Sequence, residues 1–593
     1  MCYHGNCEDT RAITVTCPKD YIRSTRKKMK VDKSMMVPVG NQNCYEYLID
    51  CTAGYGHDYK AMQHMDACYM RSEILHDIDC FAAYMKRALG LKKGDVYTVF
   101  MPTTVQSIIS FYALNKIGVI VNFVHPQLPP EVLKEALSEC GSKGVMILDL
   151  LSKDYAKVIN ESGLPCLVCS SSDYASPVKT AACKAGERLI RAIFPKIHNR
   201  TAYRDAIKMY APEDGISGNA DDIAVYLNGG GTTGKSKTIK LTSRAINELA
   251  CRVSKLDRIH DTGEEAEIIV LPLFHCFGLC VGIHMAMCNA GRIIPLMQFD
   301  AKLFNKLMRK NTVIAVVGIP VMFKKLLKSK DFDGPWLKNV RMMFCGGDDC
   351  SDNFLDEFNA VLEKNGAPGK LRQGYGLTEV GSVCTVNSNW EYRRGSIGWP
   401  LEGLNVQIWN DDHREVPDGE VGEIVISGPT IMSGYYHQGG EENEGLYIDE
   451  NGVKWVLSGD LGYRDPKPDP ETGKRYFYFS GRKKRVIIIS GYNIYPTDVE
   501  KRLQDQFAYL KNCCLVKGFD ENGKMILRLY ADLRENGDRE AYKREMTEFI
   551  ERNFSRFSVP REIVFMDRLP ETPLMKIDFM KLTQKTPADP VFA

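Results

Sequence analysis

The segment Tyr226 to Thr242, YLNGGGTTGKSKTIKLT, constrains this chain more than any other stretch. Three successive glycines, Gly229, Gly230 and Gly231, together with Gly234, free the backbone to take positive φ and let its N–H groups converge on an anion. Thr232, Thr233 and Ser236 add hydroxyl donors, and Lys235, Lys237 and Lys240 add positive charge. Such a composition is suited to holding phosphate. The run from Ile223 to Leu227 leads in as a buried strand, and Thr238 to Thr242 leads out as a β-branched alternation, so the element is strand, loop, strand. Helical character begins only at SRAINELACRVSKL, with Ser243 as the expected N-cap.

Gly229 to Ser236 also satisfies G-x-x-x-x-G-K-S/T, the P-loop pattern of nucleoside triphosphatases. A P-loop must open directly into a helix whose N-terminus faces the phosphates. The strand that follows here is the wrong continuation. The arrangement resembles instead the phosphate loop of the adenylate-forming enzymes, the superfamily of acyl-CoA synthetases, adenylation domains and luciferases. Against that family's usual S-G-T-T-G-x-P-K-G, the chain keeps Gly231, Thr232, Thr233, Gly234 and Lys237. It departs at Ser236, where proline is usual, and at Thr238, where glycine is usual, which predicts a more mobile loop.

A second block, QGYGLTE at Gln373 to Glu379, resembles the family's Y-G-x-T-E motif. Tyr375 offers a flat face to a purine, Thr378 a hydroxyl to the α-phosphate, and Glu379 an oxygen ligand for Mg²⁺. SGDLGYRD follows at Ser458 to Asp465, and the resemblance makes Asp460 the acceptor of both ribose hydroxyls. In GRKKRVIIISGYNIYPTDVE it places Arg482 on the ribose or phosphate, an inter-domain hinge at Lys484, and Gly491 beside the pantetheine thiol of coenzyme A. Lys576, in LPETPLMKIDFMKL, matches the family's catalytic lysine, although Met575 stands where glycine is usual. Gly346 and Gly347 correspond to the segment packed on adenine, where Asp348 and Asp349 are unusual and mimic a Walker B ending.

The chain order supports this placement. From Tyr45 to about Asp149, helical and strand-like segments alternate, as in a parallel sheet flanked by helices. The run EIIVLPLFHCFGLCVGIHMAM predicts a strand, Ile268 to Leu273, that delivers His275 onto a turn before a small-residue helix. By resemblance His275 and Gly318 line a carboxylate substrate pocket, and the lack of an aspartate beside His275 disfavours α-amino acids. Gly395 to Gly403 and Asp418 to Tyr436 alternate β-branched residues with glycine turns and predict a small antiparallel β subdomain. Ser152 to Gly218 shows little periodicity and receives no role.

Composition narrows the class further. A chain of 593 residues with 44% apolar content can hold sizeable cores, and a net charge of +2 gives no reason to expect nucleic acid. The basic cluster Arg23 to Lys30 reads as a solvated stretch. No secretory pattern is expected at the N-terminus, and the apolar runs Ile268 to Met287 and Val313 to Met322 are too interrupted to span a membrane. Twenty scattered cysteines, with one CxxC at Cys166 and Cys169, suit reduced thiols in a cytoplasmic protein.

The fold expected is therefore α/β: an adenylate-forming enzyme fold with a large N-terminal AMP-binding domain of βαβ-type sheets plus a β subdomain, residues 1–483, and a small mobile α+β domain, residues 484–593. The resemblance implies ATP-dependent activation of a fatty or aromatic carboxylic acid to acyl-AMP, then transfer to coenzyme A, with Mg²⁺ bound. Three alternatives stay open at this point. The acceptor could be a carrier protein, the chain could bind nucleotide without turnover, or a P-loop activity could hydrolyse ATP to ADP without any acid.

Overall fold

Every residue of the helix Val105–Lys116 is buried, the polar ones included. A helix is covered all round only when it lies between two layers. The computed structural model describes residues 37–55, 58–183, 195–228, 237–256, 265–348, 350–436, 445–489, 492–520, 525–534, 537–571 and 577–583. Among these, one apolar core joins the helices Cys44–Thr52, Arg71–Arg87, Val105–Lys116 and Ser243–Ser254 and the π-helical Phe277–Met285 to residues of two large sheets. Its polar members find partners inside. Gln106 Nε2 donates to Ser170 O at 2.7 Å, and Lys116 Nζ meets Asp79 Oδ1 at 2.5 Å, sparing the cost of an unpaired buried charge.

The eight-stranded sheet runs Gly434–Tyr436, Thr238–Thr242, Ile223–Asn228, Ile120–Phe123, Val96–Phe100, Ser142–Leu148, Cys166–Cys169 and Arg200–Ala202. From Ile223–Asn228 onward its strands are parallel. The nine-stranded sheet runs Trp399–Pro400, Thr385–Val386, Leu371–Tyr375, Met342–Cys345, Val313–Gly318, Ala266–Ile269, Arg292–Pro295, Lys60–His64 and Ala67–Met70, with six parallel strands from Leu371–Tyr375 to Lys60–His64. A separate core on the helices Ala301–Lys310, Pro320–Leu327 and Asp352–Lys364 packs against the nine-stranded sheet. Another on Pro130–Glu139 and Ser152–Ser162 packs against the eight-stranded one. The segment that lacked periodicity thus completes a sheet edge: Cys166 and Cys169 sit buried in its strand, and burial pushes the Cys166 thiol up to about 12.

Asn405–Trp409, Gly422–Ser427, Lys454–Arg464, Leu446–Ile448 and Phe477–Arg482 form a five-stranded antiparallel sheet. Beyond it, Leu510–Phe519, Met525–Leu533 and Glu562–Phe565 make a three-stranded sheet that packs with Pro496–Gln506 and Arg539–Asn553 around a core drawn from residues 487–565 alone.

Three local expectations are corrected. Thr242, not Ser243, caps the helix Ser243–Ser254: its side chain accepts from Ala245 N–H, while the Ser243 hydroxyl is drawn away to Asn115 Oδ1. The strand expected to reach Leu273 ends at Ile269, because Pro272 has no N–H to give and Thr103 Oγ1 takes Leu271 O and Leu273 N–H instead. Trp399–Pro400 and Gly434–Tyr436 do not join the β subdomain; each adds an antiparallel edge to one of the two large sheets.

Within the shared core, His284 is fully buried. Tyr112 Oη lies 3.1 Å from its Nδ1 and Asn247 Oδ1 lies 3.0 Å from its Nε2, so the neutral ring donates from Nε2 and accepts at Nδ1. Burial pushes this imidazole down to about 3. The folded ring stays neutral while the unfolded chain takes up a proton below about pH 6.5, so stability falls as pH drops through that value. The stability of the wild type, read from urea unfolding, should fall between about pH 6.5 and 5 more steeply than that of His284→Gln, by up to about 1.4 kcal/mol per pH unit. Equal slopes would contradict this.

Candidate active site

Open parallel sheets carry ligands beyond the carboxyl ends of their strands. Four adjacent strands of the nine-stranded sheet, Ala266–Ile269, Val313–Gly318, Met342–Cys345 and Leu371–Tyr375, bring His275, Gly318, Gly346 with Gly347, and Tyr375 to that same end. Gly346 N–H donates to Gly318 O at 3.1 Å. A side chain at Gly318 would overlap Met322, and one at Gly346 would stand 3.2 Å from the Phe277 ring, so both glycines keep the strand ends closely packed. His275 is exposed on its turn, where its Nδ1 accepts from Phe277 N–H at 3.2 Å.

The Tyr375 hydroxyl donates to Asp460 Oδ2 at 2.8 Å, and Arg482 Nε stands 3.4 Å from Asp460 Oδ1. Register explains the second contact: Asp460 and Arg482 are direct partners across the antiparallel pair Lys454–Arg464 and Phe477–Arg482. Asp460 is buried, Tyr375 half-buried, and Arg482 exposed at the rim. Burial, reinforced by the Asp460 charge, pushes the Tyr375 phenol well above its ordinary range, so it remains a donor.

Just past Tyr375 the chain turns tightly through Thr378–Val380, and Gly381 ends the turn with φ of 76°. A side chain on Gly376 would overlap the Ser382 carbonyl, so only glycine fits there. The Cys276 thiol donates to Thr378 Oγ1 at 3.4 Å, tying the His275 turn to this one. Burial pushes that thiol up to about 11, which keeps it protonated. Glu379 Oε1 accepts from Tyr435 Oη at 3.0 Å, and Lys237 Nζ lies 4.9 Å from the Tyr435 ring centroid.

Gly229, Gly230, Gly231, Thr232, Thr233 and Gly234 lie outside the described residues, as do Gly491 and Lys576. The neck of the phosphate loop is described. Asn228 and Thr238 pair across it, and Thr238 Oγ1 donates to Asn228 Oδ1 at 3.0 Å, a brace that glycine at 238 could not provide. Lys484 sits between two anchored neighbours. Lys483 pairs with Asp411 at 2.7 Å and Glu423 at 3.1 Å, whereas Arg485 pairs with Glu500 at 2.7 Å on the helix Pro496–Gln506.

Among the described residues no cluster of three or more metal-ligating side chains gathers. A single carboxylate, Glu379, suits Mg²⁺, which keeps most of its shell from water and substrate phosphate. No helix among the described residues is long and apolar enough to cross a membrane.

The AMP-binding enzyme family matches residues 57–436, a span that contains the phosphate loop, the Tyr375 turn and Tyr435. This chain belongs to that family. Among its relatives, a long-chain-fatty-acid–CoA ligase of Bacillus subtilis (strain 168) is 28% identical over 554 residues, covering 91% of this chain and 94% of the relative. A ligase of the same name from Escherichia coli O6:H1 is 26% identical over 514 residues, 84% of this chain and 86% of the relative. In fold, the chain is similar to an ATP-bound MatB from Rhodopseudomonas palustris, with a TM-score of 0.76, 20% identity, and coverage of 92% and 99%. It is likewise similar to a benzoate CoA ligase from Burkholderia xenovorans LB400, with a TM-score of 0.74, 21% identity, and coverage of 92% and 100%.

Three residues of this AMP-binding enzyme were not singled out from sequence. Tyr435 lies in the run read as β subdomain, Cys276 follows His275, and His125, whose ring lies 4.3 Å from that of Phe274, belongs to none of the motif blocks. His125 follows the parallel strand Ile120–Phe123, and position at a strand's carboxyl end was the available signal.

Gly376→Ala should displace the Thr378–Val380 turn, at about 1–3 kcal/mol of stability, and weaken ATP binding by more than about tenfold in calorimetric titration. Unchanged affinity would show that the turn does not set the nucleotide site.

Proposed function

We propose that this AMP-binding enzyme is an AMP-forming acyl-CoA synthetase that activates a fatty or aromatic carboxylic acid. A single observation carries the proposal: Tyr375 of one sheet meets Asp460 and Arg482 of another, close in sequence to Thr378 and Glu379. Those groups match what a nucleotide presents, namely a flat base, a ribose diol and a phosphate chain.

In the first step the substrate carboxylate oxygen attacks the α-phosphorus of ATP, a new O–P bond forms, and pyrophosphate leaves. Tyr375 presents its face to adenine and Asp460 accepts the ribose hydroxyls, fixing the α-phosphorus near Thr378. Negative charge grows on the phosphate oxygens, where the Thr378 hydroxyl, Lys237, the Gly229–Gly234 loop and Lys576 donate. Glu379 would hold Mg²⁺, which supplies further charge neutralisation there. The acid enters along His275 and Gly318, beside the apolar Phe274 and Phe277. In the second step the thiol of coenzyme A attacks the acyl carbon and AMP departs.

Residues 1–483 are the large domain and 484–593 the small one in this proposal. The pairing of Lys483 to one side and Arg485 to the other suits rotation at Lys484, which withdraws Lys576 and presents Gly491 to the thiol. The cytoplasm, where ATP, coenzyme A and free thiols coexist, is the compartment that fits.

A panel of fatty and aromatic acids scored for AMP release, with and without coenzyme A, tests the assignment. Acid-dependent AMP and thioester are expected. Release that needs a carrier protein, or ATP binding without turnover, would replace it. Lys576→Ala should lower acid-dependent pyrophosphate exchange by about 10²-fold or more, and wild-type exchange would remove the lysine from catalysis. Lys484→Pro should keep exchange and lose thioester; equal loss of both would exclude the hinge.

A further inference from the structure

The turns that carry His275 and Thr378 are each fixed in backbone and are joined by one side-chain contact. On the Thr378 turn, Val380 N–H donates to Leu377 O at 3.1 Å, Gly381 N–H donates to Thr378 O at 3.1 Å, and Met432 N–H donates to Glu379 O at 2.7 Å. The chain leaves this turn through Ser382, a buried non-glycine residue with φ of 143°, and Cys384 N–H returns to Tyr375 O at 2.9 Å. So unfavourable a conformation persists only where its surroundings dictate it, and such strain gathers at working sites. On the other turn, His275 N–H donates to Pro272 O at 3.1 Å and Leu279 N–H donates to His275 O at 3.0 Å. The Cys276 thiol joins the two by donating to Thr378 Oγ1 at 3.4 Å. Cys276 is only 2% exposed, so water does not compete for that bond. Among the described residues it is the one hydrogen bond of the Thr378 side chain.

We propose that Cys276 is a positioning residue for the first step: by donating to Thr378 Oγ1, its thiol selects the rotamer in which the Thr378 hydroxyl donates to the α-phosphate. This rests on the reading of Thr378 given above. With the backbone of the turn fixed, what is left to set is rotation about the Thr378 Cα–Cβ bond, where staggered wells compete. A hydroxyl oxygen can accept a hydrogen bond and still give its own proton. The thiol hydrogen therefore occupies a lone pair of Oγ1 and leaves the O–H for an acceptor elsewhere, such as an oxygen on phosphorus. Burial keeps the thiol protonated at neutral pH, so it serves as a donor and itself makes and breaks no covalent bond. The gain comes in the transition state. Charge then grows on the phosphate oxygens, and a hydroxyl already aimed at them needs no reorganisation.

Acid-dependent pyrophosphate exchange, with kcat and the KM for ATP determined separately, tests the assignment. Cys276→Ala removes the donor and should lower kcat about threefold to tenfold, as loss of one hydrogen bond would. The KM for ATP should not change, because the lost help belongs to the transition state. Cys276→Val refills the space without a donor and should match Cys276→Ala, which separates the hydrogen bond from damage by a cavity. Thr378→Val should lower kcat about tenfold or more. Adding Cys276→Ala to it should then cost nothing further, since no hydroxyl is left to orient. Wild-type kcat in Cys276→Ala, recovery of kcat in Cys276→Val, or the same fold loss in the Thr378→Val background overturns the proposal and leaves the acyl-CoA synthetase reading intact. Wild-type exchange in Thr378→Val takes the hydroxyl away from the α-phosphate and overturns the proposal together with that part of the reading.

Discussion

A helix with no face left for water imposes the strictest condition on this protein. Val105–Lys116 is covered on every side, so each polar group it carries must be met from within: Ser107 and Ser110 by nearby carbonyls, others by segments far away in sequence. Lys116 meets Asp79, Gln106 meets Ser170, and His284 of the π-helical segment meets Tyr112 and Asn247. Leaving any one unmet would be more expensive than the bond is worth. The two sheets are thereby fixed on a common core, and the ends of their strands acquire a definite geometry.

The nucleotide site uses that geometry without being part of the core. Gly278 shows the connection: a side chain there would strike the carbonyl of Pro272, so the π-helical segment starts tight against the end of its strand and the His275 turn projects outward. From there the Cys276 thiol reaches Thr378, Tyr375 reaches Asp460, and Glu379 reaches Tyr435. The His275, Tyr375 and Glu379 turns are each tied to another segment by a hydrogen bond, so a shift in one turn is felt by its partner.

Much of this was legible beforehand because the signals are local. Glycine runs, β-branched alternation and the Q-G-Y-G-L-T-E block identify strand, loop and turn from neighbours in sequence, and the expected strand Thr238–Thr242, which speaks against a P-loop, is present. Capping was misjudged by one residue, since Thr242 and Ser243 are both competent and only Asn115, more than a hundred positions away, decides between them. Edge strands were misassigned for a similar reason. Trp399–Pro400 and Gly434–Tyr436 are too short for their periodicity to say which sheet they extend. The departure at Thr238 supplies a hydroxyl that braces the neck of the loop, a contact that joins two strands and that spacing alone does not show.

The sequence by itself determined the residue types at each turn and the order of strands and helices, because backbone preference and side-chain period act over a few residues. It also carried enough of the family's blocks to identify the class of chemistry. Tertiary structure alone decided that Tyr435 contacts both Lys237 and Glu379, that Asp460 accepts from Tyr375, and that Lys483 and Arg485 are held on opposite sides. Those contacts join positions with no common period or spacing, and they form only when separately folded layers are packed together and their buried polar groups must be satisfied at once.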